Sequence, residues 1–325
     1  MTPAGLVSLD EVREAAERIR GLVARTPLVS VPELTQRLGH EVRLKAESLQ
    51  RSGSFKARGA LNFMARLPDE AAARGVITYS SGNHGQAMSL AAQLRGVRAV
   101  VVMPTTAPRV KIEGCERLGA EVVLEGTTSA HRKTRAQAMA AEQGLAIVPP
   151  FDHPWIIAGQ GTLGLEILED WPEVETVLTP IGGGGMVSGV SAALRRLRPG
   201  VRIVGVEPAG APSMRAALDA GEPMVIPRAE SIADGLVPTR VGDLTYAHVR
   251  ELVDDVVTVE DAAIRDAVRF LLHRAKLVVE YSGAATVAAL LSGALRGAVS
   301  APGRTVAVLS GGNMDPSILA ELARS

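Results

Sequence analysis

The segment VITYSSGNHGQAMSLAAQLRGVRAVVVM, residues 76–103, decides the fold class of this chain. It opens with VITY, a short run of high strand preference, and continues with a pattern rich in alanine and leucine that is typical of a helix. It ends in AVVVM, an apolar run without polar alternation, as in a strand that is covered on both faces. Strand, helix and strand in this order predict a unit with two parallel strands.

The same alternation continues on both sides of this segment. EVRLKAES (41–48) precedes it, and EVVLE, HRKTRAQAMAAEQ and LAIVPP follow it and lead to Pro150. A second set of strands then comes: ETVLTPI, RIVGVEP, DDVVTVE and TVAVLSGG. We therefore predict an α/β protein with two parallel or mixed sheets, in which a smaller domain (75–150) is inserted in a larger one (1–74 and 151–325).

Two helix starts carry capping signals. Ser8-Leu9-Asp10-Glu11 has the form of a capping box and precedes the amphipathic segment EVREAAERIRGLVAR. Thr258-Val259-Glu260-Asp261 has the same form and predicts a helix over AAIRDAVRFLLHRAKL. At each start we expect the hydroxyl side chain to accept a hydrogen bond from the first turn of the helix.

Composition excludes several classes of protein. The chain has 325 residues, of which 46% are hydrophobic, and its formal net charge is zero. These values exclude disorder. Proteins that bind nucleic acids usually have a basic, aromatic-rich surface, and this chain has neither a positive net charge nor many aromatic residues. Glycine is in excess, with 33 residues, so the places where it clusters are informative.

The sequence also bears on the cellular compartment. MTPAGLVSLDEV lacks the features of a signal peptide, and the longest uncharged apolar stretch, between Glu280 and Arg296, is too short for a membrane span. Cys115 is alone, so no internal disulfide is possible, and we expect it to act as a small buried hydrophobic residue. We predict a soluble cytoplasmic protein with no nucleic-acid or membrane partner.

Four consecutive glycines, Gly182, Gly183, Gly184 and Gly185, separate the strand ETVLTPI from a helix that starts near Ser188. Without Cβ atoms, their main-chain N–H groups can converge on an anion at the N-terminus of that helix. The alternative is a flexible turn, but a turn does not need four glycines followed directly by a helix. The pattern favours a phosphate site, and the absence of any Gly-Lys pair excludes a Walker loop.

Gly159-Gln160-Gly161-Thr162-Leu163-Gly164 matches the dinucleotide fingerprint. No clean strand precedes it, because FDHPWIIA contains a proline, and GTLGLEILEDW is itself typical of a helix. We therefore favour glycines that let a helix pack closely over a nicotinamide site.

Lys56 lies in SGSFKARGA, at the start of the predicted helix ALNFMARL. The positive end of the helix dipole and the neighbouring Arg58 are both expected to favour the neutral amine, which can form a Schiff base with a carbonyl group. By itself the pattern is weak, since most lysines are solvated surface residues.

Two further loops follow predicted strands. Ser80-Ser81-Gly82-Asn83-His84-Gly85-Gln86 opens a helix and offers N–H and side-chain donors to a carboxylate. Ser310-Gly311-Gly312-Asn313 follows TVAVL, at the edge of the sheet where α/β proteins hold ligands. For each loop, an ordinary strand-to-helix turn is an equal alternative.

Together, SGSFKARGA, SSGNHGQA, PIGGGGMVSG and LSGGN resemble the fold-type II pyridoxal-phosphate enzymes, whose architecture is that of the tryptophan synthase β chain. Within these enzymes the chain is most similar to the threonine/serine dehydratase and serine racemase group. The resemblance extends from RTPLVSV (25–31) to SGGNMD (310–315). It implies pyridoxal 5'-phosphate as cofactor and a homodimer.

The resemblance also implies a role for individual residues. Lys56 would be the Schiff-base lysine and the base that removes the α-proton, and Ser81 would be the acid or base on the opposite face. The cofactor ring would contact Phe55, Asn83, Glu280 and Ser310. The phosphate would bind to Gly182, Gly183, Gly184, Gly185 and Met186, and the substrate carboxylate to Ser80, Ser81, Gly82, Asn83 and His84. For Glu280, a charge at a helix N-terminus is an alternative reading.

By resemblance, the activity is that of an ammonia-lyase that converts a β-hydroxy amino acid, L-threonine or L-serine, to a 2-oxo acid and ammonia. An amino-acid racemase and a 3-hydroxyaspartate dehydratase are the alternatives. Racemase-like members bind a divalent cation through a glutamate, here Glu207, and a later aspartate whose position is occupied by Ser213. We therefore predict no metal, with Glu207 as the one candidate ligand.

Overall fold

The computed structural model describes residues 5–80, 82–296 and 303–324, and it contains two β-sheets. The larger sheet has six strands in the order β1-β2-β10-β7-β8-β9. The pair β1–β2 is antiparallel, and each other neighbouring pair in this sheet is parallel. Its strands are β1 (Leu28–Ser30), β2 (Val42–Ala46), β7 (Thr176–Pro180), β8 (Arg202–Pro208), β9 (Asp255–Val259) and β10 (Thr305–Leu309).

The smaller sheet has four parallel strands in the order β5-β4-β3-β6. Its central strands, β3 and β4, come from the segment that predicted the fold, and all five residues of β4 are buried. The strands are β3 (Val76–Tyr79), β4 (Ala99–Met103), β5 (Glu121–Leu124) and β6 (Ala146–Ile147). The predicted fold class is confirmed. The domain boundaries at 74/75 and 150/151 stay predictions.

Helices connect the strands and cover the sheets. They are α1 (Leu9–Arg18), α2 (Pro32–Leu38), α3 (Lys56–Arg66), α4 (Asp69–Arg74), α5 (Asn83–Arg95), α6 (Arg109–Glu116), α7 (Ser129–Gln143), α8 (Pro154–Asp170), α9 (Gly185–Leu197), α10 (Ser213–Ala220), α11 (Asp243–Leu252), α12 (Asp261–Phe270), α13 (Tyr281–Ser292) and α14 (Pro316–Arg324). None of the helices within the described ranges combines the length and hydropathy needed to cross a bilayer.

The sequence Gly159–Gly164 lies inside helix α8 and forms no loop. A Cβ atom on Gly159 would lie 2.6 Å from Cα of Gly59 in α3, and one on Gly161 would lie 2.8 Å from the carbonyl oxygen of Gly189 in α9. These glycines therefore allow α8 to pack closely against two other helices. The expectation of close helix packing is confirmed, and these residues provide no dinucleotide loop.

The two predicted helix caps have different outcomes. Ser8 and Glu11 form the expected capping box at the start of α1. At the other start, Glu260 is the N-cap of α12 and makes no side-chain capping bond, so the Thr258 prediction was wrong. The reason is that Thr258 and Val259 pair with β8 as part of strand β9, so the helix begins later. The α-helix also ends earlier than predicted, at Phe270, and is followed by a π-helical turn over Leu271–Ala275.

Candidate active site

Lys56 is the first residue of α3, and its position is set by the end of strand β10. Ser54 forms an isolated antiparallel bridge with Gly311, and the N–H of Phe55 donates to the carbonyl oxygen of Ser310 over 3.0 Å. The amine Nζ of Lys56 donates to the carbonyl oxygen of Pro150 over 2.7 Å. Burial lowers the pKa of Lys56 to about 8. A lysine with that pKa is neutral in about one molecule in ten at pH 7, far more often than an ordinary lysine.

Arg58 does not cause this shift, so the expectation from the sequence was wrong on that point. Its guanidinium is fully buried and bound by two carboxylates. It donates to both oxygens of Glu47 over 2.8 Å and to those of Glu166 over 2.7 and 2.8 Å. Because these carboxylates balance its charge, burial is the physical cause of the lowered pKa of Lys56.

The loop Gly182–Gly185 lies between β7 and α9 and leaves little room for side chains. A Cβ atom on Gly183 would lie 2.3 Å from the ring of Phe151, and one on Gly182 would lie 2.8 Å from the carbonyl oxygen of Gly235. Gly184 is the N-cap of α9 and has a φ of +93°, in the left-handed region that favours glycine. Glycine is therefore required here for steric and conformational reasons.

The same loop has the donors that an anion needs. Within the described residues, the main-chain N–H groups of Gly182, Gly183, Gly184 and Gly185 have no protein acceptor. They lie at the N-terminus of a 13-residue helix, where the dipole favours negative charge. The buried Met186 continues the loop into the first turn. This donor set fits a phosphate group.

The reactive amine and the glycine loop lie on the two sides of one dipeptide. The carbonyl oxygen of Pro150 accepts the hydrogen bond of Lys56, and the ring of the next residue, Phe151, packs against Gly183. An amine with a lowered pKa and an anion cradle are therefore brought together by residues that are far apart in the sequence. Such a pair fits a phosphorylated ligand that carries a carbonyl group.

A polar network joins Asn83, at the start of α5, to the loop after β10. The amide of Asn83 donates to Oε1 of Glu280, and its oxygen accepts from Nδ2 of Asn313 over 2.8 Å. Nδ2 of Asn313 also donates to the carbonyl oxygen of Ser52 over 2.8 Å, so the network reaches the segment that leads to Lys56. Asn83 and Glu280, predicted from separate motifs, are thus brought into direct contact.

Glu280 is both the N-cap of α13 and part of this network, so the two readings of its role are compatible. It is 4% exposed, and its Oε2 atom has no partner among the described residues. Burial raises the pKa of Glu280 to about 7, partly offset by the nearby charge of Lys111. A carboxyl group with that pKa titrates near neutral pH, so it can act there as an acid or a base.

Phe55 and Ser310 are also adjacent. The main-chain hydrogen bond described above joins them. Phe55 is half-buried, and Ser310 is 4% exposed. Oγ of Ser310 lies 3.4 Å from the carbonyl oxygen of Ser282. Both residues therefore lie where α3 begins and β10 ends. This is the strand edge at which a ligand was predicted.

In the loop before α5, the side chains of Ser80 and His84 make contacts within the protein, and the predicted carboxylate site stays a prediction. Oγ of Ser80 accepts from the N–H of Gly82 over 3.1 Å, while Ser81 lies outside the described residues. The imidazole Nε2 of His84 lies 3.2 Å from the carbonyl oxygen of Val148, and burial lowers the pKa of His84 to about 3. The side chain of His84 is thus neutral and structural, and only its main chain is available to a carboxylate.

One cation at this loop was missed by the sequence analysis. Lys111, in α6, is 5% exposed and forms an ion pair with Asp234. A Cβ atom on Gly82 would lie 2.5 Å from Cδ and 3.1 Å from Nζ of Lys111. Although burial opposes the charge, Asp234 and Glu280 raise the pKa of Lys111, so the amine is protonated. No local pattern could have revealed this contact, because 123 residues separate the two members of the pair.

Glu207 caps the start of helix α10 with its carboxylate. It is fully buried, and its two oxygens accept from the N–H groups of Met214 over 2.7 Å and Arg215 over 2.9 Å, at the start of α10. Ser213, at the position of the aspartate in racemase-like enzymes, lies 3.4 Å from the same carboxylate. These residues do not fit a divalent cation. In the described part of the chain, no three His, Cys, Asp or Glu side chains could hold a metal ion together.

Comparison with known proteins relates this arrangement to a family. The family model described as "Pyridoxal-phosphate dependent enzyme" matches residues 19–311. The L-threonine ammonia-lyase of Geobacter sulfurreducens is 45% identical over 94% of this chain and 75% of that protein. The catabolic L-threonine dehydratase TdcB of Escherichia coli K12 is 39% identical over 97% of this chain and 96% of that protein. The structure of maize serine racemase matches with a TM-score of 0.93 at 38% identity, covering 98% of this chain and 97% of that one.

Proposed function

This chain belongs to the family of pyridoxal-phosphate dependent enzymes, and we propose that it is an ammonia-lyase that converts L-threonine or L-serine to a 2-oxo acid and ammonia. One observation carries the proposal. The dipeptide Pro150–Phe151 joins the half-buried amine of Lys56 to the N–H cradle of Gly182–Gly185. The names of the L-threonine ammonia-lyase and dehydratase relatives support the choice of reaction.

The residues around this dipeptide have distinct tasks in the proposal. The loop Gly182–Gly185 and Met186 hold the cofactor phosphate, and Lys56 binds the cofactor covalently. Phe55, Asn83, Glu280 and Ser310 surround the ring. Ser80, Gly82, Asn83 and His84 bind the substrate carboxylate through the start of α5, together with Ser81, which lies outside the described residues.

Bound pyridoxal phosphate supplies an electron sink for the carbon that loses its proton. The substrate amine would replace Lys56 on the cofactor, and the freed Nζ atom of Lys56 would then act as the base, because burial holds the pKa of this free amine at about 8. Ser310 offers a hydroxyl group to the ring nitrogen, and a hydroxyl does not keep that nitrogen protonated as a carboxylate would. Asn83, held by Glu280 and Asn313, orients the ring edge.

Product analysis tests the proposal. The purified enzyme with its cofactor is incubated with L-threonine, L-serine or 3-hydroxyaspartate, and the 2-oxo acid, the ammonia and the amino-acid enantiomers are measured. The expected result is stoichiometric 2-oxo acid and ammonia from L-threonine or L-serine. Formation of D-serine in excess over pyruvate would overturn the lyase assignment.

A serine racemase is the second candidate, favoured by the likeness to maize serine racemase. This activity needs an acid or base on the face opposite Lys56, for which we propose Ser81. A 3-hydroxyaspartate dehydratase is a further alternative, for which 3-hydroxyaspartate would be the best substrate in the same experiment.

The Lys111→Met variant is expected to raise the KM for the amino acid about tenfold, which corresponds to ~1.4 kcal/mol, with a smaller change in kcat. Lys111 is a buried cation beside the loop proposed for the substrate carboxylate, and methionine would leave the Asp234 carboxylate there without its partner. Steady-state kinetics with L-threonine measure the effect.

The double variant Lys111→Met/Asp234→Asn controls for the unpaired negative charge of Asp234. It removes the repelling carboxylate, so KM should return toward the wild-type value. Lys133→Met, at an exposed position of α7, should leave both constants unchanged. An equal KM in the single and double variants would contradict an electrostatic cause.

We also propose that the enzyme is a cytoplasmic homodimer, with a small domain of residues 75–150. Cys115 is buried as expected, and burial raises the pKa of its thiol to about 11, which keeps the thiol unreactive. Light scattering should give a mass near twice the 34.0 kDa of the chain. A mass of one chain would overturn the dimer.

A further inference from the structure

The carbonyl groups of the glycine loop are anchored by two buried hydroxyl side chains. Oγ1 of Thr245, in α11, donates to the carbonyl oxygen of Gly183 over 2.7 Å. Oγ of Ser188, in α9, donates to the carbonyl oxygen of Gly184 over 2.7 Å. Both side chains are fully buried, so neither hydroxyl is exposed to solvent.

These bonds determine where the N–H groups point. In a trans peptide unit, the carbonyl oxygen of one residue and the N–H of the next lie in one plane and point in opposite directions. The bond to Gly183 therefore turns the N–H of Gly184 away from Thr245. In the same way, the carbonyl oxygen of Gly184 accepts from the main-chain N–H of Ser188 over 3.0 Å as well as from its Oγ, and together these bonds turn the N–H of Gly185 away from Ser188. Both N–H groups belong to the cradle described above.

Thr245 is itself held in place by the segment that contacts Lys56. The carboxylate of Asp152 accepts from the N–H groups of Asp243, Leu244 and Thr245 over 3.0 to 3.1 Å at the start of α11. The N–H of Gly242 donates to Oγ1 of Thr245 over 3.1 Å. The hydroxyl of Thr245 has two carbonyl acceptors within reach, Gly183 at 2.7 Å and Gly242 at 3.2 Å, and the contact with Gly183 is the shorter one. Asp152 follows Phe151, whose ring packs against Gly183.

We infer that Thr245 and Ser188 are positioning residues, which turn the N–H groups of Gly184 and Gly185 toward the cofactor phosphate. The inference rests on the proposed function, because it assigns that phosphate to the glycine loop. Neither Thr245 nor Ser188 is proposed to touch the cofactor itself. Each acts by fixing one peptide unit, so that the cradle is formed before the phosphate arrives and less conformational freedom is lost on binding.

The test compares two ligands that differ in the phosphate alone. Apo-enzyme is titrated with pyridoxal phosphate and, separately, with pyridoxal, and the visible absorbance is recorded. For Thr245→Val, which removes the hydroxyl and keeps the shape, the Kd of pyridoxal phosphate is expected to rise about 10- to 100-fold. The affinity for pyridoxal should be unchanged, because that ligand does not use the loop.

Thr245→Ser is the matched control and should keep wild-type affinity for both ligands. Ser188→Ala tests the second peptide unit and should give a smaller loss that is again specific to the phosphate, because the main-chain N–H of Ser188 still donates to Gly184. This variant also covers the case that Thr245→Val does not fold. Equal losses for both ligands, or no loss in either variant, would overturn the inference. Failure of the wild-type protein to bind pyridoxal phosphate would instead overturn the proposed function.

Discussion

Replacing Lys56 by alanine is expected to lower the rate of 2-oxo acid formation by about 10⁴-fold and to remove the visible absorbance of the bound cofactor. The effect is large because one amine has two tasks, covalent binding of the cofactor and removal of the α-proton. Alanine cannot perform either task. The nearest described groups do not replace the amine, since the imidazole of His84 is engaged with Val148 and its pKa is about 3.

Absorbance spectra and a discontinuous 2-oxo acid assay measure the two losses separately. Lys133→Ala, at an exposed position of α7, is the control and should match the wild type in both. Because burial holds the pKa of Lys56 at about 8, the rate at which apo-enzyme binds the cofactor covalently should rise with pH up to that value. A Lys56→Ala variant that keeps its spectrum and activity would contradict the assignment of Lys56.

Local patterns predicted the strands and the loops well. Ala99–Met103 is buried on both faces, which is visible as an apolar run, and Val76–Tyr79 was recognisable by its strand-forming residues. The glycines at 182–185 were recognisable because four of them stand in a row, and the structure shows why side chains are disfavoured there: Gly182 lies close to another main chain and Gly184 has a positive φ. In such places one short segment contains the whole physical reason for its structure.

Contacts between distant segments could not be predicted in this way. Lys111 reaches Asp234, and Thr245 reaches Gly183, only because the fold brings together residues that are 123 and 62 positions apart. A lysine in α6 has no local sign of burial, and a threonine in α11 has no local sign of its acceptor. The role of Arg58 was misjudged for the same reason, since Glu166 is 108 residues away.

The Arg58→Met variant is expected to lose about 3–5 kcal/mol of its free energy of unfolding. Arg58 and Glu47 are both fully buried, and the guanidinium donates to both oxygens of this carboxylate. Burial alone would raise the pKa of Glu47, and the charge and hydrogen bonds of Arg58 bring it below its usual value. Without Arg58, a buried carboxylate would retain the hydroxyl of Thr26 as a donor but would lose its main cation.

Glu166, the second carboxylate that Arg58 contacts, should be destabilised less by the loss of Arg58. Glu166 is 13% exposed at its side chain and also accepts from Nζ of Lys45 over 2.7 Å. Lys45 in turn donates to the carbonyl oxygen of Thr26, so this half of the cluster stays paired when Arg58 is removed. The loss of stability should therefore arise mainly from Glu47, and neutralising Glu47 should reverse part of it.

Urea unfolding of the apo-enzymes, followed by tryptophan fluorescence, measures this loss. The double variant Arg58→Met/Glu47→Gln should be more stable than Arg58→Met alone, because no buried charge is left without a cation. Arg109→Met removes the exposed pair with Glu113 in α6 and should cost less than about 0.5 kcal/mol. An Arg58→Met variant as stable as Arg109→Met, or a double variant no more stable than the single one, would contradict the assignment of Arg58, Glu47 and Glu166 as a buried charge cluster.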